Sequence, residues 1–209
     1  MRPDRLTAVV IGVVAAGCAA HSSRHAARTL APGGWRTVVA VDGLGFEHGR
    51  EYMVYPVPEV GVRRGMGPGW DLGGKLGAGT VEASARFAVV ARDDLAVAIA
   101  PGLRAGFAAA TNNRTDVLRA TAFAHAVVER NLGRRTALVG TATAAITAAG
   151  PDHHALAPWR ALVEPAVGAG VRIRLGRRVL WPELTVTLPW APAAGIEPPL
   201  VQAGIGLEL

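Results

Sequence analysis

The chain has 209 residues, half of them hydrophobic, and a mean hydropathy of +0.27; this excludes a disordered chain and calls for one domain with a sizeable apolar burial. Past the N-terminus no uninterrupted apolar run reaches the ~20 residues that a spanning helix needs, so a helical multi-span protein is excluded too. The net charge of +6, carried by 21 Arg and one Lys against 16 acids, would suit nucleic acid in a chain that stayed inside the cell.

The first element argues against that partner. Arg2 and Arg5 precede the apolar stretch Leu6 to Ala16 and then small residues, which predicts a secretory signal peptide over 1–20. An exported chain meets other anions, phosphate-bearing lipids and lipopolysaccharide, whose phosphates Arg grips bidentately. The signal ends in Ala15-Ala16-Gly17-Cys18, which resembles the lipobox of bacterial lipoproteins. The resemblance implies lipidation of Cys18, whereas ordinary cleavage after Ala20 would discard it. Cys18 is the single cysteine, so no intramolecular disulfide forms. Residues 21–33 are expected to be a short polar leader on the periplasmic side.

From residue 34 to 209 the sequence breaks into ten stretches of period-two alternation, separated by Gly, Pro, Asn and Asp clusters. They predict strands over 34–44, 52–64, 70–78, 80–91, 94–108, 116–129, 134–147, 159–175, 177–189 and 199–209. In the fourth, Val81, Ala83, Ala85, Phe87 and Val89 share one face and Glu82, Ser84 and Arg86 the other. In the last, Val201, Ala203, Ile205, Leu207 and Leu209 alternate with Gln202, Gly204, Gly206 and Glu208, as successive strand side chains must. The connections alternate in length: those around Gly67, Asp93, Leu132 and Gly176 are tight, while Gly45 to Glu51, Ala109 to Thr115, Ala148 to Pro158 and Ala191 to Pro198 are longer. Only the third, near Gly79, departs from this. Aromatics fall mostly at strand ends, with Trp35 and Trp70 toward the tight turns and Tyr52, Phe107, Trp159 and Trp190 toward the longer loops, the placement of an interfacial girdle.

Alternation alone does not tell a membrane barrel from a soluble lipocalin-like one, because the two invert inside and outside. The polar face decides. It carries the acids Asp42, Glu59, Asp71, Glu82, Glu129, Glu164, Glu183 and Glu208 and the bases Arg36, Arg63, Lys75, Arg86, Arg104, Arg119, Arg172 and Arg174. Equal numbers allow a neutral interior network, and the other positions of this face are largely Gly, Ala and Thr, which suit a crowded lumen. The expected fold is all-β, a single antiparallel up-and-down transmembrane β-barrel of about ten strands in the bacterial outer membrane.

That pattern resembles the class of small outer-membrane barrels that includes OmpA-like and OmpW-like proteins. Gly61-Val62-Arg63-Arg64-Gly65 leading to Trp70-Asp71-Leu72-Gly73 resembles the turn between two strands of that class, with an Arg and an Asp pointing inward. The apolar alternation ending at Leu209 resembles its C-terminal assembly signal, although Leu stands where Phe or Trp is usual. The resemblance implies the fold and the barrel-assembly machinery as a partner, not an activity.

Candidate chemistry is sparse. Omptin-like proteases set Asp pairs and an Asp-His couple at the outer rim; here Asp152-His153-His154 lies in a longer loop and Asp93-Asp94 on a tight turn, a barrel's length apart. His125 is expected to be a hydrogen-bonded lumen residue beside Arg119 and Glu129. No phosphate-binding loop, nucleophile elbow or Cys-x-x-Cys occurs. The sequence therefore predicts no catalytic residues, no metal and no cofactor. The expected role is structural or surface-binding; the alternatives are a narrow channel or carrier for small solutes and a soluble periplasmic ligand-binding barrel.

Overall fold

The computed structural model describes residues 24–48, 51–77, 79–109, 116–150, 160–191, 195–196 and 199–209. The expected signal segment, Cys18 and Asp152-His153-His154 lie outside them. Among the described residues there is no helix. The strands are β1 (Trp35–His48), β2 (Glu51–Gly67), β3 (Trp70–Gly77), β4 (Thr80–Ala91), β5 (Leu95–Ala109), β6 (Asp116–Asn131), β7 (Thr136–Ala149), β8 (Arg160–Val163), β9 (Ala166–Leu175), β10 (Arg178–Thr187), β11 (Trp190–Ala191), β12 (Gly195–Ile196) and β13 (Leu200–Glu208).

From β1 to β7 each strand pairs antiparallel with the next, β7 pairs with β9, β9 with β10 and β10 with β13. The last strand returns to the first, with Val38 opposite Glu208 and Gly45 opposite Val201. The result is a closed ring of ten strands in which every backbone ladder finds a partner, the condition for crossing a lipid bilayer with strands.

Two prolines account for two of the three strands beyond ten, and the third is the two-residue β12, which pairs with β11. β7 pairs with β9 from Thr136 to Thr143 and with β8 from Ile146 to Ala149, so β8 and β9 form one wall strand interrupted at Glu164-Pro165. The expected strand 159–175 is this pair. β11 likewise continues β10 beyond Leu188-Pro189 and pairs with β8 at Trp190 and Val163. Proline has no N–H to give to a ladder, so each strand breaks there.

The turns follow residue chemistry. In Gly67-Pro68-Gly69-Trp70 the fixed φ of Pro68 and the positive φ of Gly69, 77°, are the two central positions of a type II turn. At the opposite end the sequence reading is corrected: the long connection expected over Gly45 to Glu51 is an extended hairpin, because the β1–β2 ladder runs on to His48 opposite Glu51. About ten tilted residues suffice to cross a membrane. β1, with 14 residues, and β2, with 17, therefore project beyond it.

Burial shows which way the barrel faces. Along β4, Glu82, Ser84 and Arg86 are buried while Val81, Ala83, Phe87 and Val89 are exposed. Along β13, Gln202 and Glu208 are buried while Ala203 and Ile205 are exposed. In a closed barrel the buried face is the lumen, so the polar set points in and the apolar set points out. Leu103, 67% exposed, Ile146, Leu138, Leu118 and Ile99 all stand on the outer wall. A continuous apolar exterior of this kind is a lipid-facing surface and overturns the soluble-barrel alternative. Near the tight turns Trp35 lies exposed under the Arg64 guanidinium at 5.3 Å, and Trp70 stacks on Phe87 at 6.3 Å. Trp190 is exposed toward the other end. The side chains of Tyr52, Phe107 and Trp159 lie outside the described set.

Candidate functional site

The lumen begins with strand periodicity, which sends alternate residues of every wall strand inward. Nearest the tight turns, Arg172 bridges Glu129 at 2.7 Å and Glu208 at 3.0 Å, and Arg36 meets Glu208 at 3.0 Å. Also near this end, Asp71 accepts from Arg63 Nη1 at 3.2 Å and from Arg86 Nε at 3.2 Å, while Arg63 Nη2 also donates to Ser84 Oγ at 2.7 Å. At mid-barrel Glu82 Oε2 accepts from Arg104 at 2.6 Å, and Lys75 lies 3.4 Å from Glu59 and 3.6 Å from Glu82. Toward the longer loops Arg119 meets Glu164 at 2.8 Å, and Glu164 also accepts from Thr147, whose hydroxyl is 2.8 Å from that of Thr121. Glu183 is buried and accepts from Thr185 Oγ1 at 3.1 Å. Arg174 is the exception among the sixteen expected interior charges: near the β9–β10 turn it is exposed, because the wall ends before its side chain is enclosed.

A ten-stranded wall is wider than the eight-stranded one that side chains just fill, and much of this inner face is small: Ala96, Ala98, Ala100, Gly204 and Gly206. The remaining space is taken by the chain's own residues 24–30. The leader expected on the periplasmic side instead enters from the tight-turn end and runs up the lumen, with Arg24 to Ala27 buried. The Gly33 N–H donates to the Gly65 carbonyl and the Gly65 N–H to the Gly34 carbonyl, both at 2.8 Å, fixing the point of entry. Arg28 donates to the carbonyls of Arg92 and Asp93 on the β4–β5 turn at 2.9 and 2.7 Å.

The wall's acids hold the leader along its length. Asp71 accepts from the Leu30 N–H at 3.0 Å, and Glu129 from the Ala27 N–H at 3.1 Å. Arg86 donates to the Ala26 carbonyl, and Glu82 lies 3.6 Å from His25 Nε2. Arg24 forms an ion pair with Asp42 and reaches Glu59 at 3.3 Å, while Gln202 donates to Asp42 at 2.7 Å. Ala26 and Ala27 pack in one apolar cluster with Ala96, Ala98, Val127, Val139 and Trp181. Glycine makes the approach possible: a Cβ on Gly65 would fall on the Ala31 carbonyl, and one on Gly204 on the Asp42 carboxylate and the Arg24 guanidinium. Arg24 also supplies inside the positive charge that Arg174 leaves outside.

The interior aromatics were not singled out by sequence. Trp181 is fully enclosed with the Arg172 guanidinium 5.2 Å from its ring, and Phe123 lies 5.5 Å from that of Arg104. Their inward register on alternating strands was the available signal. His125 is fully buried, but its partners differ from those expected: Nδ1 lies 2.7 Å from Thr143 Oγ1, and its ring lies 4.6 Å from Phe123 and 5.1 Å from His25. Asp93 and Asp94 are exposed on the β4–β5 turn.

Comparison with known proteins finds no matching family model and no matching curated protein. Among solved structures the chain is similar to Neisserial surface protein A, with 10% identity over 84% of this chain and 96% of that one and a TM-score of 0.48. It is also similar to Ail, the attachment invasion locus protein of Yersinia pestis, with 10% identity, coverage of 85% and 99% and a TM-score of 0.37. A third is the translocator domain of the autotransporter NalP from Neisseria meningitidis, with 12% identity, coverage of 98% and 92% and a TM-score of 0.37. The fold itself rests on the strand pairing and the facing of the side chains: a closed antiparallel barrel, apolar outside and charged within, which is the architecture of a bacterial outer-membrane protein.

Proposed function

We propose that this protein is a closed outer-membrane barrel with a structural or surface-binding role and no enzymatic activity, its lumen sealed by its own residues 24–30. The observation that carries this reading is the filled interior. Beside the leader and the wall residues Arg36, Glu59, Arg63 and Trp181 a cavity of about 50 Å³ is left, room for only a few waters, and a polar recess of about 190 Å³ lies among Glu129, Arg172 and Arg174 near the tight turns, whereas wide aqueous channels belong to barrels of about sixteen strands. In this reading the outer wall meets membrane lipid, the loop end meets lipopolysaccharide or another surface ligand, and the barrel-assembly machinery recognises the C-terminal strand. Purified full-length mature protein in a planar bilayer is the test. It is expected to be electrically silent, while a variant lacking residues 24–30 conducts and thereby reports that insertion has occurred. Regular conductance steps from the intact protein would overturn the sealed reading in favour of a narrow channel.

A further inference from the structure

The leader brings a second histidine to the one on the wall. His25 sits at mid-lumen against His125 of β6 and Glu82 of β4; all three are buried, and one ligand atom from each lies within 4.8 Å of the other two. Both nitrogens of His25 and Nε2 of His125 are buried with no hydrogen-bond partner among the described residues. That is costly for imidazoles enclosed in a protein. The rest of the cluster is arranged as an outer shell. Thr143 Oγ1 engages His125 Nδ1 at 2.7 Å, which fixes the ring and, with the proton on Nδ1, leaves the Nε2 lone pair available to a metal ion. Arg104 holds Glu82 through Oε2 at 2.6 Å and Lys75 approaches the same oxygen at 3.6 Å, while Oε1 faces His25 Nε2 at 3.6 Å.

We propose that His25, His125 and Glu82 form a binding site for a divalent transition-metal ion, with zinc as its ordinary occupant, that fastens the leader to the barrel wall. Two imidazoles and one carboxylate are a zinc donor set that leaves a fourth position for water. Nitrogen donors favour zinc or copper over calcium and magnesium, which take all-oxygen sites. Closing the three ligand atoms from within 4.8 Å onto one ion needs only small side-chain rotations, since zinc bonds of ~2.0–2.2 Å put ligands about 3.5 Å apart. Lys75 and Arg104 weaken the site electrostatically, and their grip on Oε2 leaves Oε1 as the donor. Because one ligand lies on the leader and two on the wall, metal binding and leader docking reinforce each other.

The test uses the mature full-length protein, untagged, with Cys18 replaced by Ser, refolded with and without zinc. Calorimetric titration should show one zinc per chain in wild type, with affinity reduced about 100-fold or more in both His25→Gln and His125→Gln. Thr143→Val should show an intermediate loss of about 10–100-fold, as expected for an outer-shell partner. Zinc should also protect the leader from added protease in wild type and not in His125→Gln, and magnesium should give neither effect. Circular dichroism at matched strand content identifies variants that are folded. An ion bound by folded His125→Gln as tightly as by wild type, or no zinc bound by wild type, overturns the proposal. If either His variant does not fold, Thr143→Val decides: an affinity equal to wild type overturns the site.

Discussion

Replacing Asp71 by Ala tests how dry the lumen is. Asp71 is completely buried and accepts from Arg63, from Arg86 and from the Leu30 N–H, so its loss leaves two guanidinium groups without their carboxylate in an enclosed space and frees one anchor of the leader. Removing one partner of a buried ion pair costs about 3–5 kcal/mol, because the remaining charge keeps its desolvation penalty without compensation. With a urea dependence of about 1–3 kcal/mol per molar, the unfolding midpoint in lipid vesicles should fall by about 1–5 M, followed by tryptophan fluorescence. Replacing Asp71, Arg63 and Arg86 together with Leu, Leu and Met should recover most of the loss, since well-packed apolar residues in place of buried charges are close to neutral. A loss below about 1 kcal/mol for Asp71→Ala, the scale of solvated surface pairs, would refute the reasoning by showing that water reaches these groups.

Three further outcomes follow from the same geometry. Leu103→Arg on the exposed outer wall should destabilise the barrel in bilayers by about 2–4 kcal/mol if it lies near the midplane, and the same test applies to Val97→Arg on the same face; stability unchanged in lipid would contradict the facing. Gly204→Leu places a side chain where Arg24 and the Asp42 carboxylate lie, so it should release the leader to protease while strand content by circular dichroism is retained. Metabolic labelling with a fatty acid should mark the wild-type chain and not Cys18→Ser if the lipobox resemblance holds; equal labelling of both would show that Cys18 is not the attachment point.

The wall was legible in the sequence because a membrane barrel repeats one rule, inward polar and outward apolar, in every strand. The alternations of 80–91 and 199–209 could therefore be read directly, and the observed β4 and β13 carry those faces. Closure of ten strands followed from the same repeat. The interruption at Pro165 was open to reading, since proline cannot continue a ladder, but the alternation carries across it. The leader was not legible. Residues 24–30 have no strand periodicity, and what holds them is tertiary: Asp42, Glu59, Asp71, Glu82 and Glu129 come from five different strands and meet the leader only when the barrel closes. Counting eight inward acids against eight inward bases satisfied the wall's charge without reference to the leader and so concealed the need for Arg24. The small residues Ala96 and Ala98 at inward positions, packed against Ala26 and Ala27, were the trace of it in the sequence.

The measurement that bears most directly on a lipid-embedded barrel with a filled lumen is a spin-label scan of β6 in vesicles, one cysteine at a time from 120 to 128 in a Cys18→Ser background. Collisions with oxygen, which concentrates in lipid, should be high at Ala120, Ala122, Ala124, Ala126 and Val128, which are exposed. Collisions with a water-soluble nickel chelate should be low at those positions and also at Thr121, Phe123 and Val127, which are buried against the lumen's contents. Strong nickel relaxation at the outward positions would contradict the membrane barrel, and strong nickel relaxation at the inward ones would contradict the sealed lumen.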